Sequence, residues 1–276
     1  MKIGLIGAEN SHAEHFCQVI NRDKKHPGFT ITHIYGGDDT AACDRLCATY
    51  NLTCCDSEEA VIAACDALVI TYRKGDQHYA PSMKVLKAGK PLFNDKPFTT
   101  DYAQAQEIVN YAKENNILLC GGSSTKDLAD LSKVKEKITK GSTVVISHSA
   151  DPDSIYNGFW FYGIHCAETC LKLLGCDFKA VTAFRNGNGV TTSVAYEDKH
   201  CVIVNSPDAT KLVVSIINAD GAETIYVTMD YQSIGPDQFV KMLATGEPPY
   251  EYGFYAKAVD LMSQIMKAAE LCGNPS

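Results

Sequence analysis

The first 122 residues alternate short apolar runs with longer amphipathic stretches, and few folds accommodate that pattern. KIGLIGA reads as a buried strand and residues 12–21 as a helix; residues 29–35 and 40–50 repeat the pair. The pair recurs at 67–71 with 78–88 and at 91–94 with 102–114, and a last strand covers 118–121. Strands separated by helices of about ten residues or more cannot form hairpins, so they pair in parallel through crossover connections. The expectation is an α/β chain that opens with a doubly wound, Rossmann-type parallel sheet over residues 1–122.

After Gly121-Gly122-Ser123-Ser124 the pattern changes. One helical stretch, 127–139, is followed by TVVISHS, KAVTAFR, VTTSVAYE, HCVIVN, KLVVSIIN and ETIYVTMD, several of them separated by turn formers such as Asn186-Gly187-Asn188-Gly189 and Asp220-Gly221. Successive strands with short turns predict an antiparallel sheet. Helices are expected at 163–174 and 254–271. Residues 123–276 therefore read as an α+β domain with a large, mainly antiparallel open sheet. A length of 276 residues agrees, since about 150 per domain gives just under two.

Composition narrows the function. Hydrophobic residues at 45% and charged residues at 21% are those of a folded chain. The formal charge of −8 is scattered instead of running in blocks, which argues against a nucleic-acid groove or an anionic membrane surface as partner. With no apolar run of about 18 residues and no leader-like N-terminus, a cytoplasmic protein is expected. Twelve cysteines include no Cys-x-x-Cys, and Cys65, Cys120 and Cys201 sit in apolar stretches, so most read as small buried hydrophobes in a reducing compartment. Cys43 with Cys47, and Cys166 with Cys170, would each share a helix face, a spacing that holds a metal only where other ligands converge. No metal is expected on this reading.

A first strand ending in glycine and entering a helix is where doubly wound domains hold a dinucleotide. Here Gly7-Ala8-Glu9-Asn10-Ser11-His12 places Glu9 at the second and His12 at the third glycine position of G-x-G-x-x-G. A carboxylate there would repel a pyrophosphate. The acidic residue expected directly after the second strand is also replaced, by Gly36-Gly37 following Tyr35. Asn10 and Ser11 offer polar groups to an anion, with Ser11 a good N-cap; both could equally serve as caps alone. Glu9, His12, Glu14 and His15 admit a metal-ligand reading.

The stretch DALVITYRKGDQHYAPSMKVLKAGKPLFNDKPFTTDYAQAQEIVNYAKENNILLCGG resembles the glucose-fructose oxidoreductase, inositol dehydrogenase and MocA family. His78, Ala88-Gly89-Lys90 and Asp95-Lys96-Pro97 stand where that family has a His after the strand loop, an Ala-Gly-Lys turn and Glu-Lys-Pro; a late ATGEPPY segment continues the likeness. The resemblance implies a nicotinamide cofactor, NAD or NADP, along the first domain, held by Gly7, Asn10, Ser11, His12, Thr71, Asp95 and Lys96. It implies a substrate on the open face of the second domain's sheet, with Lys96 and His165 as catalytic groups. His78, Tyr162 and Glu168 are the expected substrate residues. Phe161 stands where the family's Asp-x-x-x-His motif has its Asp, and a phenyl ring relays no proton.

Those residue types suit hydride transfer between the cofactor and a sugar, polyol or related small hydroxylated compound. A His near neutral pKa can take the hydroxyl proton and a Lys can stabilise the alkoxide that forms. Each has a plainer alternative: His165 as a packed imidazole, Lys96 as a solvated side chain, His78 as a core histidine, and Phe159, Trp160, Phe161 and Tyr162 as hydrophobic packing. A descendant that binds or regulates without a cofactor, and a metal-dependent enzyme using Glu9, His12 and His15, are the rival readings. The sheet's outer face, with Val213, Ser215 and Ile217, is only partly polar, and a homodimer or homotetramer is expected to bury it.

Overall fold

The computed structural model describes residues 1–271. In the parallel half, β1 (Lys2–Ile6), α1 (Ser11–Cys17), β2 (Thr30–Tyr35), α2 (Thr40–Tyr50), β3 (Thr53–Cys54), α3 (Glu58–Ala64), β4 (Ala67–Ile70), α4 (Tyr79–Lys87), β5 (Leu92–Asn94), α5 (Tyr102–Glu114) and β6 (Leu119–Gly121) follow in order. Next come α6 (Ala129–Glu136), β7 (Thr143–His148), α7 (Trp160–Leu174), β8 (Ala180–Asn186), β9 (Gly189–Ala195), β10 (His200–Asn205), β11 (Val213–Asn218), β12 (Gly221–Tyr226), α8 (Ile234–Thr245) and α9 (Gly253–Ala268). Two compact units result, one of residues 1–122 and 232–256, the other of residues 123–231 and the described residues from 257 onward.

The first unit is a six-stranded parallel sheet in the order β3-β2-β1-β4-β5-β6. All four residues of β4 are buried, as a strand covered on both faces requires. The strand order reverses between β1 and β4, and the carboxyl ends at that switch point are where open α/β sheets bind ligands. Asp39 and Asp101 cap α2 and α5 by accepting from Ala42 N and Gln104 N, each at 2.9 Å, which fixes those helix starts where the sequence placed them. Other elements differ from expectation. The first helix is α-helical only to Cys17 and continues as a π-helical turn, Gln18–Arg22, where Asn21 exchanges two hydrogen bonds with the backbone of Ile31. The N-cap is Asn10, whose side chain accepts from His12 N at 3.2 Å, and Ser11 is the first helical residue. Neither β3 nor α3 was expected, the first being two residues long. Helix α8 was also missed; its Gly-Pro start discourages a helix reading, although proline is tolerated in a first turn. Phe239 of α8 meets Phe16 and Phe93 edge-on, at 6.3 and 5.9 Å, in the core.

The second unit's sheet runs β12-β11-β7-β10-β9-β8. It is mainly antiparallel, but β7 and β10 pair in parallel, because α7 and the β8–β9 hairpin intervene between them. Inward-facing Val144, Ile146, Val194, Cys201, Ile203, Val214 and Ile216 are buried, and α7 packs on this face. The cross-strand row Tyr226, Val213, Ser147, Val204, Thr191 and Phe184 lies on the other face.

Candidate active site

In the first unit the turn after β1 keeps the glycine a dinucleotide requires. Gly7 has φ +97°, and a Cβ there would lie 2.7 Å from the backbone nitrogen of Tyr72, so only glycine fits. Thr71, fully buried at the end of β4, donates its hydroxyl to the Gly7 carbonyl at 2.8 Å and holds the turn. The rest of the turn is tied to the loop after β4. Glu9 Oε1 accepts from the backbone N–H of Arg73 at 2.8 Å, and the Arg73 guanidinium donates to the Glu9 carbonyl. Glu9 Oε2 is out of water with no hydrogen-bond partner. The ring of Tyr72 lies against both Gly7 and Gly37 and donates its hydroxyl to Glu58 at 2.9 Å.

At the carboxyl end of β5, Asp95 and Lys96 are 2% and 3% exposed. Asp95 Oδ2 is the focus of two sequence-distant groups, Asn10 Nδ2 at 3.2 Å and His12 Nδ1 at 2.7 Å. His12 therefore fills the third glycine position with a ring that reaches the end of β5, and the His15 ring lies tilted beside it at 5.5 Å between centroids. Burial, more than the neighbouring His12, lowers the His15 pKa. For Asp95 burial is the largest influence and raises the pKa, but His12 and Lys96 together outweigh it and hold the carboxyl below its usual range. A depressed carboxyl stabilises the fold above its unfolded pKa, about 4, and loses that contribution as pH falls through the folded value. Asp95→Asn should thus cost stability near neutral pH and progressively less as pH falls below about 4, as read from urea unfolding across pH. A gap between the two proteins that ignores pH would refute this.

His78 is fully buried; its Nε2 donates to the Tyr72 carbonyl at 2.8 Å, while Nδ1 has no hydrogen-bond partner. Burial lowers its pKa, so the ring is neutral and holds the loop after β4. Ser11 is exposed beside the turn.

In the second unit His165 lies on α7, 6% exposed, its Nδ1 2.6 Å from Ser123 Oγ and 3.4 Å from Thr125 Oγ1. Ser123 and Thr125 hydroxyls are 2.6 Å apart. The His165 ring is 5.5 Å from Tyr162 and 5.8 Å from His148, which ends β7. Tyr162 is 40% exposed, and burial lowers the His148 pKa. These rings stand on α7 and on the sheet face that α7 covers, not on the sheet's outward face. Phe161 packs on Tyr156 and Tyr162 at 4.9 and 4.6 Å. Glu168 is 1% exposed and engaged internally: it accepts from Ser123 N at 2.9 and 3.0 Å and pairs with Lys126, also 1% exposed, at 3.1 Å. Burial raises its pKa, opposed by Lys126. Sequence reasoning missed Ser123, Thr125 and His148. The signal available for Ser123 was its place directly after the last parallel strand, where ligand-binding loops gather.

A Rossmann sheet with a glycine turn at its switch point is an architecture that holds dinucleotides, and here it is followed in sequence by a unit built on a mixed six-stranded sheet. Residues 1–122 match a sequence model of the glucose-fructose oxidoreductase, inositol dehydrogenase and MocA type, described as an oxidoreductase family with an NAD-binding Rossmann fold. An uncharacterized oxidoreductase of Streptococcus pneumoniae is 25% identical over 153 residues, 54% of this chain and 40% of that relative, so the match spans less than half of the relative's length. The fold is that of GenD2 from gentamicin A biosynthesis, solved in complex with NAD (TM-score 0.82, 13% identity, 98% of this chain and 94% of that one). It is also that of the UDP-N-acetylglucosamine 3-dehydrogenase GnnA from Acidithiobacillus ferrooxidans (TM-score 0.78, 15% identity, 98% of each chain). Among the described residues no helix is long and apolar enough to cross a membrane.

Proposed function

We propose that this chain is an NAD-dependent oxidoreductase acting on a CH–OH group of a sugar, polyol or related small hydroxylated compound. The observation that carries this reading is the pair of groups at the carboxyl ends of one parallel sheet: Gly7, where any side chain would collide with the next strand's loop, and the buried Lys96. Glu9 Oε2, buried without a partner, suits a hydroxyl or N–H donor of a bound dinucleotide, though not a phosphate oxygen. Asp38 and Asp39 follow β2 where a 2′-phosphate would need a cation, which favours NAD over NADP. The nicotinamide, when bound, exchanges the hydride. Lys96 supplies positive charge for the alkoxide. His165 takes the hydroxyl proton, its ring positioned by Ser123 Oγ, 2.6 Å from Nδ1. Ser123 thereby does the orienting that Phe161 cannot.

A second reading, a descendant that binds small molecules without a cofactor, is favoured by the closure of Glu9 onto Arg73 and of Tyr72 onto Gly37. Fluorescence titration separates the two. The oxidoreductase reading expects saturable NADH binding, weaker for NADPH, and tighter NADH binding in Glu9→Gly. Absence of binding for both nucleotides at millimolar concentration overturns it. The metal-dependent rival has lost ground, since Glu9, His12 and His15 do not form a three-ligand cluster among the described residues.

The outer face of the second sheet exposes Phe184 (60%), Ile217 (46%) and Tyr226 (67%). Such an apolar patch on an antiparallel sheet suits self-association, so a homodimer or homotetramer is expected. Light scattering at micromolar concentration checks it, and a monomer mass is the contrary result.

A further inference from the structure

Three thiols converge in the first unit beside the turn after β2, where the Cys43 side chain lies against Gly36. Cys43 and Cys47 lie one turn apart on α2, and Cys54 lies on β3, where it pairs with Ile34 of β2. Cys43 Sγ and Cys54 Sγ are 3.5 Å apart, and all three sulfurs lie within 4.8 Å of one another. None is in a disulfide. Tetrahedral zinc with Zn–S bonds of about 2.3 Å sets its sulfurs about 3.8 Å apart, so the three already stand near the spacing of one ligand face. Packing alone does not call for three thiols here, since any small hydrophobe would fill the space of a buried cysteine.

We propose that Cys43, Cys47 and Cys54 form a binding site for a thiophilic d¹⁰ cation of the zinc class, with a fourth position open to water. The burial gradient fits a site with an entrance, since Cys43 is buried, Cys47 intermediate and Cys54 exposed. Binding exchanges the three thiol protons for the cation and leaves three thiolates on it, with no change of oxidation state. The site would clip the two-residue edge strand β3 to α2, an element that backbone pairing holds by only two register positions.

Cobalt(II) is the probe. The full chain, stripped with chelator and kept reduced by a phosphine, should develop thiolate-to-cobalt charge transfer and tetrahedral d–d absorption that saturate at one equivalent and vanish on adding zinc. Cys54→Ser, an exposed position whose substitution leaves the core untouched, should weaken binding by more than the roughly 10–100-fold typical of a supporting residue, and Cys47→Ser likewise. Cys120→Ser, a buried thiol elsewhere, should bind as wild type. Zinc should also raise the thermal midpoint of wild type and not of Cys54→Ser. Absence of a saturating spectrum, or equal binding by Cys54→Ser, overturns the site; binding retained in Cys47→Ser overturns it in favour of a Cys43–Cys54 pair alone. None of these readouts involves a nucleotide, so the outcome is independent of the oxidoreductase reading.

Discussion

Lys96→Met and His165→Ala are each expected to lower turnover by about 10²–10⁴-fold, the range of a positioned acid/base group. The assay follows NAD reduction with whichever member of a panel of inositols, hexoses and sugar nucleotides the wild type oxidises. The two variants should differ in a second respect. His165 belongs to the second unit, with its Nδ1 engaged by Ser123, so its loss should leave NADH affinity nearly unchanged. Lys96 sits in the dinucleotide unit, 3% exposed, and its loss is expected to weaken the nucleotide as well. Wild-type turnover in His165→Ala would return this residue to the role of a packed core histidine.

The second large effect is on stability. Lys126 and Glu168 form an ion pair with both side chains 1% exposed, and removing Lys126 leaves the Glu168 carboxylate buried without its cation. Lys126→Met is expected to cost about 3–5 kcal/mol, the usual penalty for breaking a buried pair. Glu168→Gln should cost a similar amount because it also weakens the acceptor for Ser123 N. The double replacement Lys126→Met with Glu168→Gln should recover part of the loss, since it leaves no stranded charge and keeps an oxygen for Ser123 N. Urea unfolding measures all three. If Glu168→Gln instead abolished turnover at unchanged stability, Glu168 would be a substrate group, as the sequence reading has it.

That last contrast shows where sequence reasoning reaches its limit. Three-residue spacing placed His165 and Glu168 on one helical face, but it carries no information about Lys126, whose side chain claims the carboxylate. Likewise Asp39 and Asp101 mark the starts of α2 and α5 because a cap is a local event, readable from adjacent residues. The Asp95 cluster is not local: Asn10 and His12 reach a carboxylate more than 80 residues away, and nothing in either segment announces the meeting. Ser123 and His165, 42 residues apart, meet for the same reason. Cys54 escaped notice because β3 is too short to leave a periodic signal, so the convergence needed to make Cys43 and Cys47 a candidate site was invisible in the sequence. Lys96 could be singled out as a candidate because its motif is contiguous.

A crystal of the full chain soaked with NAD tests the central claim most directly. The account predicts the pyrophosphate over the Gly7–Asn10 turn, the Glu9 carboxylate accepting from a hydroxyl or N–H of the dinucleotide, and the nicotinamide beside Lys96. A dinucleotide bound elsewhere, or a turn that stays closed on Arg73 with no nucleotide at saturating NAD, would contradict it.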